Sequence, residues 1–499
     1  MWISYMTELI LNELRNQVDS TYVGFSPNGR AKAVHIANGA QRCIFGAYYT
    51  DDYINRMALV SNAKGEIPRH HELKDIWDDL TGKHELDVDV GKKDFEHMRE
   101  IMQEMLSSDK GAYVILKEHC RDLDDTMISY TVASKFFLTK PTIHQDGGEF
   151  IGGLICEFCK ELKEHIYDIL NNADDPITYL FRPVLKQDDN FTEFNEDYRH
   201  NTVDLFTQNN ENRYLRWYIE GLQRSSICLL KNFKKYKNSL NKLRLFNLFC
   251  ILHLIRYLGL LESFYCDETA HPMLLDFSHL SPAKSPIAKE SQMSYINTSK
   301  SLNRFYAWAY SNVLGDEYTI DQLISSPTPV YSSGKQPKNQ DGLENIWNMA
   351  KEKARGLASE NGLRVFGEAI YDMLALEATN HPVNYIRSLG VEAGMLYPPD
   401  SQHPHKRFIF STDMLEVIVN STVNPQETLN SGQLRQRIFE LFGFVCGPGT
   451  DVNNISSDSM LPKLSEDELK KNFENFALVL EGMDFAKTMA DGIFQVRAG

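Results

Sequence analysis

A chain of 499 residues with 42% hydrophobic and 11% aromatic content is too long for one core and too apolar for wholesale disorder, so it reads as several globular domains. Its net charge of −16 argues against a general nucleic-acid coat protein, and suits a soluble protein that docks onto a basic partner. Eight cysteines thinly spread through so long a chain, several inside apolar runs as Cys250 is, read as reduced, buried thiols of a cytoplasmic protein.

The first stretch, MWISYMTELILNEL, has no basic n-region and carries Glu8 and Glu13 within its apolar pattern, which predicts an amphipathic helix and not a secretory signal. Residues 1–145 read as a mixed α/β domain. Thr21–Phe25 and Ala33–Ile36 are short strand-like runs split by the turn Ser26-Pro27-Asn28-Gly29, and Arg42–Tyr49 is a third strand candidate. An exposed acidic loop over 78–94, a helix over 94–107 and a strand over 112–116 complete the domain.

Residues 146–325 read as a helical domain. Ile151, Leu154, Ile155, Phe158, Leu162, Ile166 and Ile169 lie along one side of a helix over 149–170. The domain is organised around 243–264, a run apolar on every side of a helix and close to the roughly 20 residues of a membrane span. Asn247, His253 and Arg256 interrupt it, and an arginine near a bilayer centre costs about 2.5 kcal/mol or more. The run is therefore read as the buried axis of a soluble domain, with no membrane partner. A Ser/Lys/Pro-rich loop over 278–294 and a helix through Leu302, Phe305, Trp308 and Val313 follow.

Residues 326–341, rich in Pro, Ser and Gly, read as a linker, and 342–400 as a helical connector. Residues 401–499 are predicted to form a winged-helix-like domain. It has a helix over 413–419, a second over 431–442, and a third behind the capping box Ser465-x-x-Glu468. Two strands then flank the hairpin signal Asp491-Gly492.

Four groups of residues suggest chemistry. A winged helix can lay a helix in a major groove, so Arg435, Arg437, Lys487 and Arg497, with Lys406 and Arg407 just upstream, are candidate DNA contacts. Glu440, Glu466, Asp467, Glu468 and Glu474 dilute that field, and the same architecture serves protein–protein packing. The ladder Lys231, Lys234, Lys235, Lys237, with Phe233 and Tyr236 interleaved, is a second nucleic-acid candidate, or else the solvated approach to a buried helix. Cys156-x-x-Cys159 with His165 is a candidate metal set, though it lacks the second cysteine pair of a closed zinc site. Asp87, Asp89 and Lys92 could serve a metal-dependent nuclease, although the acid-x-Lys spacing is missing and a solvated charge run accounts for them as well. The chain has no GxSxG, Walker A, GxGxxG or HExxH motif, so the chemistries tied to those motifs are unsupported, and no cofactor or small-molecule substrate is expected.

Asn384-Tyr-Ile-Arg-Ser-Leu-Gly390, Gly394-Met-Leu-Tyr-Pro398, Lys406-Arg-Phe408 and the helix carrying Leu415-Glu-Val-Ile-Val419 resemble large accessory proteins of bacterial anti-phage and DNA-modification-linked operons. Those proteins are encoded beside ATPases or methyltransferases. The resemblance covers the C-terminal third alone and carries over no catalytic residue. It implies a subunit of an antiviral defence complex that recognises DNA or joins an ATPase or methyltransferase to an effector. The sequence thus reads as a mainly α, multi-domain, non-enzymatic DNA-binding or scaffolding subunit. The alternatives are a metal-dependent nuclease with an N-terminal site, or a pure protein–protein adaptor.

Overall fold

The structure is a computed structural model that describes residues 9–27, 31–49, 138, 146–172, 191–193, 206, 212–266, 268–332, 339–377, 381–399, 403–449, 464–489 and 494–498. Its architecture is mainly helical. Among these residues are fourteen α-helices and a few short sheets. The predicted acidic loop, helix and strand between 78 and 116 lie outside the described residues, as do Asp491 and Gly492 of the hairpin turn.

The strands expected near the N-terminus are largely helical. Helix α1 (Leu11–Val18) continues into a single π-helical turn over Asp19–Val23, which takes in the start of the first expected strand, and α2 (Ala33–Phe45) covers the second and the start of the third, whose end is a strand, β1 (Ala47–Tyr49). The physical reason is periodicity: Ala33, Ile36, Ala37, Ala40 and Ile44 recur at threes and fours and are all buried, which a strand's alternation would not achieve. Strand β1 pairs antiparallel with β2 (Phe191–Glu193).

The helix expected over 149–170 is two, α3 (Asp146–Phe158) and α4 (Lys160–Asn172), joined at Cys159. Hydrogen bonding crosses the joint, since Cys159 N–H donates to Ile155 O at 2.9 Å and Cys159 O accepts from Lys163 N–H at 3.0 Å. Helix α3 packs on α2 at very short range. A side chain at Gly148 would lie 2.7 Å from Ile36 O and 2.9 Å from the Gly39 Cα, so only glycine fits the crossing.

Helix α5 (Arg213–Asn232) is capped by Asn212, whose side chain accepts from the N–H groups of Tyr214 and Leu215. Helix α6 (Ser239–Tyr265) is the central axis, buried from Leu243 to Phe264 except at half-buried Arg244 and Gly259. It is the one described helix long and apolar enough to cross a membrane, and 94% of that apolar window is buried against the rest of the chain.

Beyond β3 (Met273–Leu274), helix α7 (Pro286–Glu317) starts well inside the predicted loop. Ser285 caps it by accepting from Ala288 N–H, and Pro286 occupies the first turn, where its missing N–H costs nothing. Ser291 and Ser294 are consequently core residues: Ser291 Oγ accepts from Phe408 N–H and Ser294 Oγ from Leu274 N–H.

Helix α8 (Ile320–Ser325) leads into the expected linker, whose first part is packed. Val330 bridges Ile10 in parallel, with Leu11 N–H donating to Val330 O at 2.8 Å, and the Tyr331 hydroxyl donates to Met373 O. Helices α9 (Gln340–Ala354), α10 (Ser359–Ala375) and α11 (Pro382–Glu392) follow. Helix α10 lies so close to α7 that a Cβ at Gly367 would fall 2.2 Å from Ala307 O.

The last elements are β4 (Leu396–Tyr397), β5 (Arg407–Phe408), α12 (Thr412–Thr422), β6 (Leu429–Asn430), α13 (Ser431–Phe442), β7 (Phe444–Val445), α14 (Glu466–Gly482), β8 (Ala486–Thr488) and β9 (Phe494–Val496). Strand β4 pairs antiparallel with β5, and β7 lies parallel to β3. A three-stranded antiparallel sheet has the order β6-β9-β8. The capping box read from the sequence is present, with Ser465 Oγ accepting from Glu468 N–H and Glu468 accepting from Ser465 N–H at 2.8 Å. One hydrophobic core takes in described residues from Leu9 near one end to Ala498 near the other, so the C-terminal unit is packed into the rest of the molecule. Asn472 on α14 reinforces that join: its side chain accepts from Phe277 N–H and donates to Leu275 O and Cys446 O.

Candidate interaction site

Helices α13 and α14 and the hairpin β8–β9 enclose an open groove of about 610 Å³. Its floor is Phe473 on α14 and Phe494 on β9, whose rings meet edge to face with centroids 5.6 Å apart. Ala477 and Leu478 of α14 carry the apolar surface outward, and Leu478 is 65% exposed, more than any other large hydrophobic side chain among the described residues. Met489, just past β8, is also exposed. The groove was not legible in the sequence, because the cavity exists only once β9 brings Phe494 back across α14.

The groove's polar lining has both signs. Arg435 lies with its stem against Gly447 and its guanidinium carbon 4.7 Å from the centre of the Phe473 ring, a cation–π arrangement. Burial lowers its proton affinity. Along α14, Glu466, Asp467, Glu468, Glu474 and Glu481 outnumber Lys470 and Lys471, five carboxylates against two amines. The acids of the first turn face the positive end of the helix and stabilise it.

The predicted nucleic-acid contacts are dispersed, and several are spent internally. Lys406 is fully buried, its amine donating to Pro398 O and Pro399 O, and Arg407 forms a buried ion pair with Asp276 at 2.9 Å. Arg437 grips Glu427 with both Nη atoms, at 2.6 and 2.8 Å, and Lys235 donates to Ala498 O. Arg497 Nε donates to Thr428 Oγ1. Lys231, which reaches Asn424 Oδ1 at 3.5 Å, and Lys234, Lys237 and Lys487 are exposed. The structure thus does not gather these ten cations into one face.

The Arg437–Glu427 pair has a measurable consequence. Hydrogen bonds donated by Arg437 hold the Glu427 carboxyl down to about 2. A carboxyl depressed on folding adds stability above its ordinary value of 4.5, and that contribution disappears as pH falls toward about 2. Urea midpoints should therefore fall more steeply across that window in the wild type than in Glu427→Gln. Both side chains are about a third exposed, so solvent screening keeps the difference small.

The CxxC set is not assembled as a metal site. Cys159 is buried, burial pushes its thiol up to about 12, and its Sγ points to Leu222 O. Cys156 Sγ lies 3.9 Å from Cys43 O, and the His165 ring packs against Phe233. No group of three or more His, Cys, Asp or Glu among the described residues is arranged to hold a metal. Asp87, Asp89 and Lys92 lie outside the described residues.

A second polar cluster sits in the core beside α6. Arg256 is buried, with its guanidinium 4.2 Å over the Trp217 ring and none of its nitrogens hydrogen-bonded among the described residues. Burial brings its proton affinity down to about 9. Trp217 Nε1 donates to Glu440 O at 2.6 Å, and a Cβ at Gly221 would fall 2.6 Å from Leu441 O and 3.4 Å from Arg256 Nη1. The cation therefore faces the carbonyl end of α13, where the helix dipole is negative. Next to it, His253 Nε2 meets Ser225 Oγ at 3.1 Å, and burial holds the imidazole neutral. This cluster fastens α13 to α5 and α6.

The chain matches no protein-family model, no curated protein and no solved structure.

Proposed function

We propose that this protein is a non-enzymatic scaffolding subunit that docks a protein partner through its C-terminal unit. The observation that carries this reading is the charge on α14: five carboxylates against two lysines on the helix that lines the groove, with Arg437, Lys406 and Arg407 engaged inside the fold. A phosphate backbone would meet net repulsion along that helix, whereas a protein surface would meet an apolar groove whose lining carries both signs. The order α12, β6, α13, β7, α14, β8, β9 with sheet order β6-β9-β8 supports a winged-helix-like unit, here used for packing against protein. The resemblance of the C-terminal third to defence-operon subunits suggests an ATPase or methyltransferase as the partner.

A second reading, DNA binding, is favoured by one feature, the exposed amines of Lys231, Lys234 and Lys237. Titration of the purified protein with labelled duplex and single-stranded DNA at two salt concentrations, with and without Mg²⁺, separates these readings. The scaffold reading expects free, intact DNA in every lane. Salt-sensitive retention weakened by substituting those lysines would favour DNA binding, and Mg²⁺-dependent cutting lost in Asp87→Ala or Asp89→Ala would favour a nuclease.

A further inference from the structure

From the groove's lining we infer that it receives a segment of a partner protein built as a bulky apolar anchor flanked by basic residues; this rests on the docking reading above. Size and polarity argue for the anchor. A cavity of about 610 Å³ falls within the ~300–1,000 Å³ of ligand-binding clefts, and two aromatic rings form its floor. The rim is apolar as well, since Leu478 stands 65% exposed beside it.

Charge argues for the flanks. Arg435 is turned in over Phe473 and Lys470 stands exposed at the groove's edge, while Glu474 is exposed on the α14 wall and half-buried Glu481 follows two turns later, and α14 as a whole carries five carboxylates against two lysines. The acidic first turn of α14 and Asp484 beyond its end extend the negative field past both ends of the groove. The whole chain, at −16, attracts a basic segment and repels an acidic one. An amphipathic helix laid along α14 would set successive anchors against Phe473, Ala477 and Leu478 and its amines against Glu474 and Glu481.

Fluorescence anisotropy with three short labelled helical peptides tests this on the full chain. The first carries leucines on one face and lysines on the flanks; the second keeps the lysines and replaces the leucines by alanine; the third keeps the leucines and replaces the lysines by glutamate. The first peptide is expected to bind, and the other two to bind at least about tenfold more weakly, a difference of about 1.4 kcal/mol. Leu478→Gln and Glu474→Lys should each weaken the first peptide by a similar factor. Both positions are exposed, so unchanged circular dichroism and melting would verify that the fold is intact. Equal binding by the lysine–alanine peptide, equal binding to the variants, or no binding of the first peptide would each overturn the assignment. If the peptides fail while DNA also stays free, the groove is wrong and docking elsewhere survives; if DNA is retained, the docking reading itself is wrong.

Discussion

Arg42→Ala is expected to lower the stability of the fold by about 3–5 kcal/mol, the range for removing one partner of a buried ion pair. The guanidinium is inaccessible to solvent, its Nε and Nη2 meet Glu149 Oε1 at 3.0 and 2.6 Å, and its Nη1 meets Asn38 Oδ1 at 2.5 Å. Alanine would leave the buried Glu149 carboxylate, between α2 and α3, without its Arg42 partner. The double variant Arg42→Met/Glu149→Leu removes both charges and should recover most of the loss, because a well-packed apolar pair often replaces a buried ion pair without penalty. Urea denaturation followed by circular dichroism reads both effects. An Arg42→Ala midpoint equal to that of the wild type would mean that the pair does not hold these helices together.

Trp347→Ala should cost a similar amount, about 3–5 kcal/mol, from lost burial and the cavity left behind. Trp347 is fully buried on α9, and its ring centroid lies 4.9 Å from that of Phe366 on α10. Leu343, Ala350 and Ala354 complete the same buried face. The indole N–H, however, has no acceptor among the described residues. Trp347→Phe keeps most of the apolar contact and deletes that unmet donor, so its cost should be much smaller than that of alanine. The two variants separate packing from polarity: equal losses would show that the indole ring's extra volume, and not its general burial, is what α9 requires. Hydrogen exchange should report the alanine variant's loosening first in α9, which is held mainly through α10.

Much of the helical architecture was legible in the sequence because it depends on local signals. The burial of α6 follows from a run with no polar face, whereas its start, four residues before that run, is marked by Asn238, whose side chain accepts from Leu240 N–H. The α14 start follows from Ser465 and Glu468, and the α13 span from Leu434, Ile438 and Leu441 at helical spacing. Periodicity was misread where the runs were short. Ala33–Ile36 contains too few residues to distinguish a strand from the first turn of α2, and only the longer pattern through Ile44 decides it. Likewise, Val330 and Tyr331 within a Pro- and Ser-rich stretch gave no hint that they would be held by Leu9, Leu11 and Met373.

Charged side chains mark the limit of sequence reasoning here. Lysine and arginine at 406, 407, 435 and 437 look alike as a basic series, yet Lys406 caps two proline carbonyls, Arg407 neutralises Asp276, Arg435 stacks on Phe473 and Arg437 clasps Glu427. Each fate depends on a residue distant in the chain or on a backbone group whose position local propensity does not encode. Local hydrogen bonding and hydrophobic period specify helices within a few turns, so the chain alone determines that it is mainly helical and built on 243–264. Which cations remain at the surface, and whether Phe473 and Phe494 frame a groove, are settled by long-range packing, because only there do desolvation and pairing compete for the same side chains.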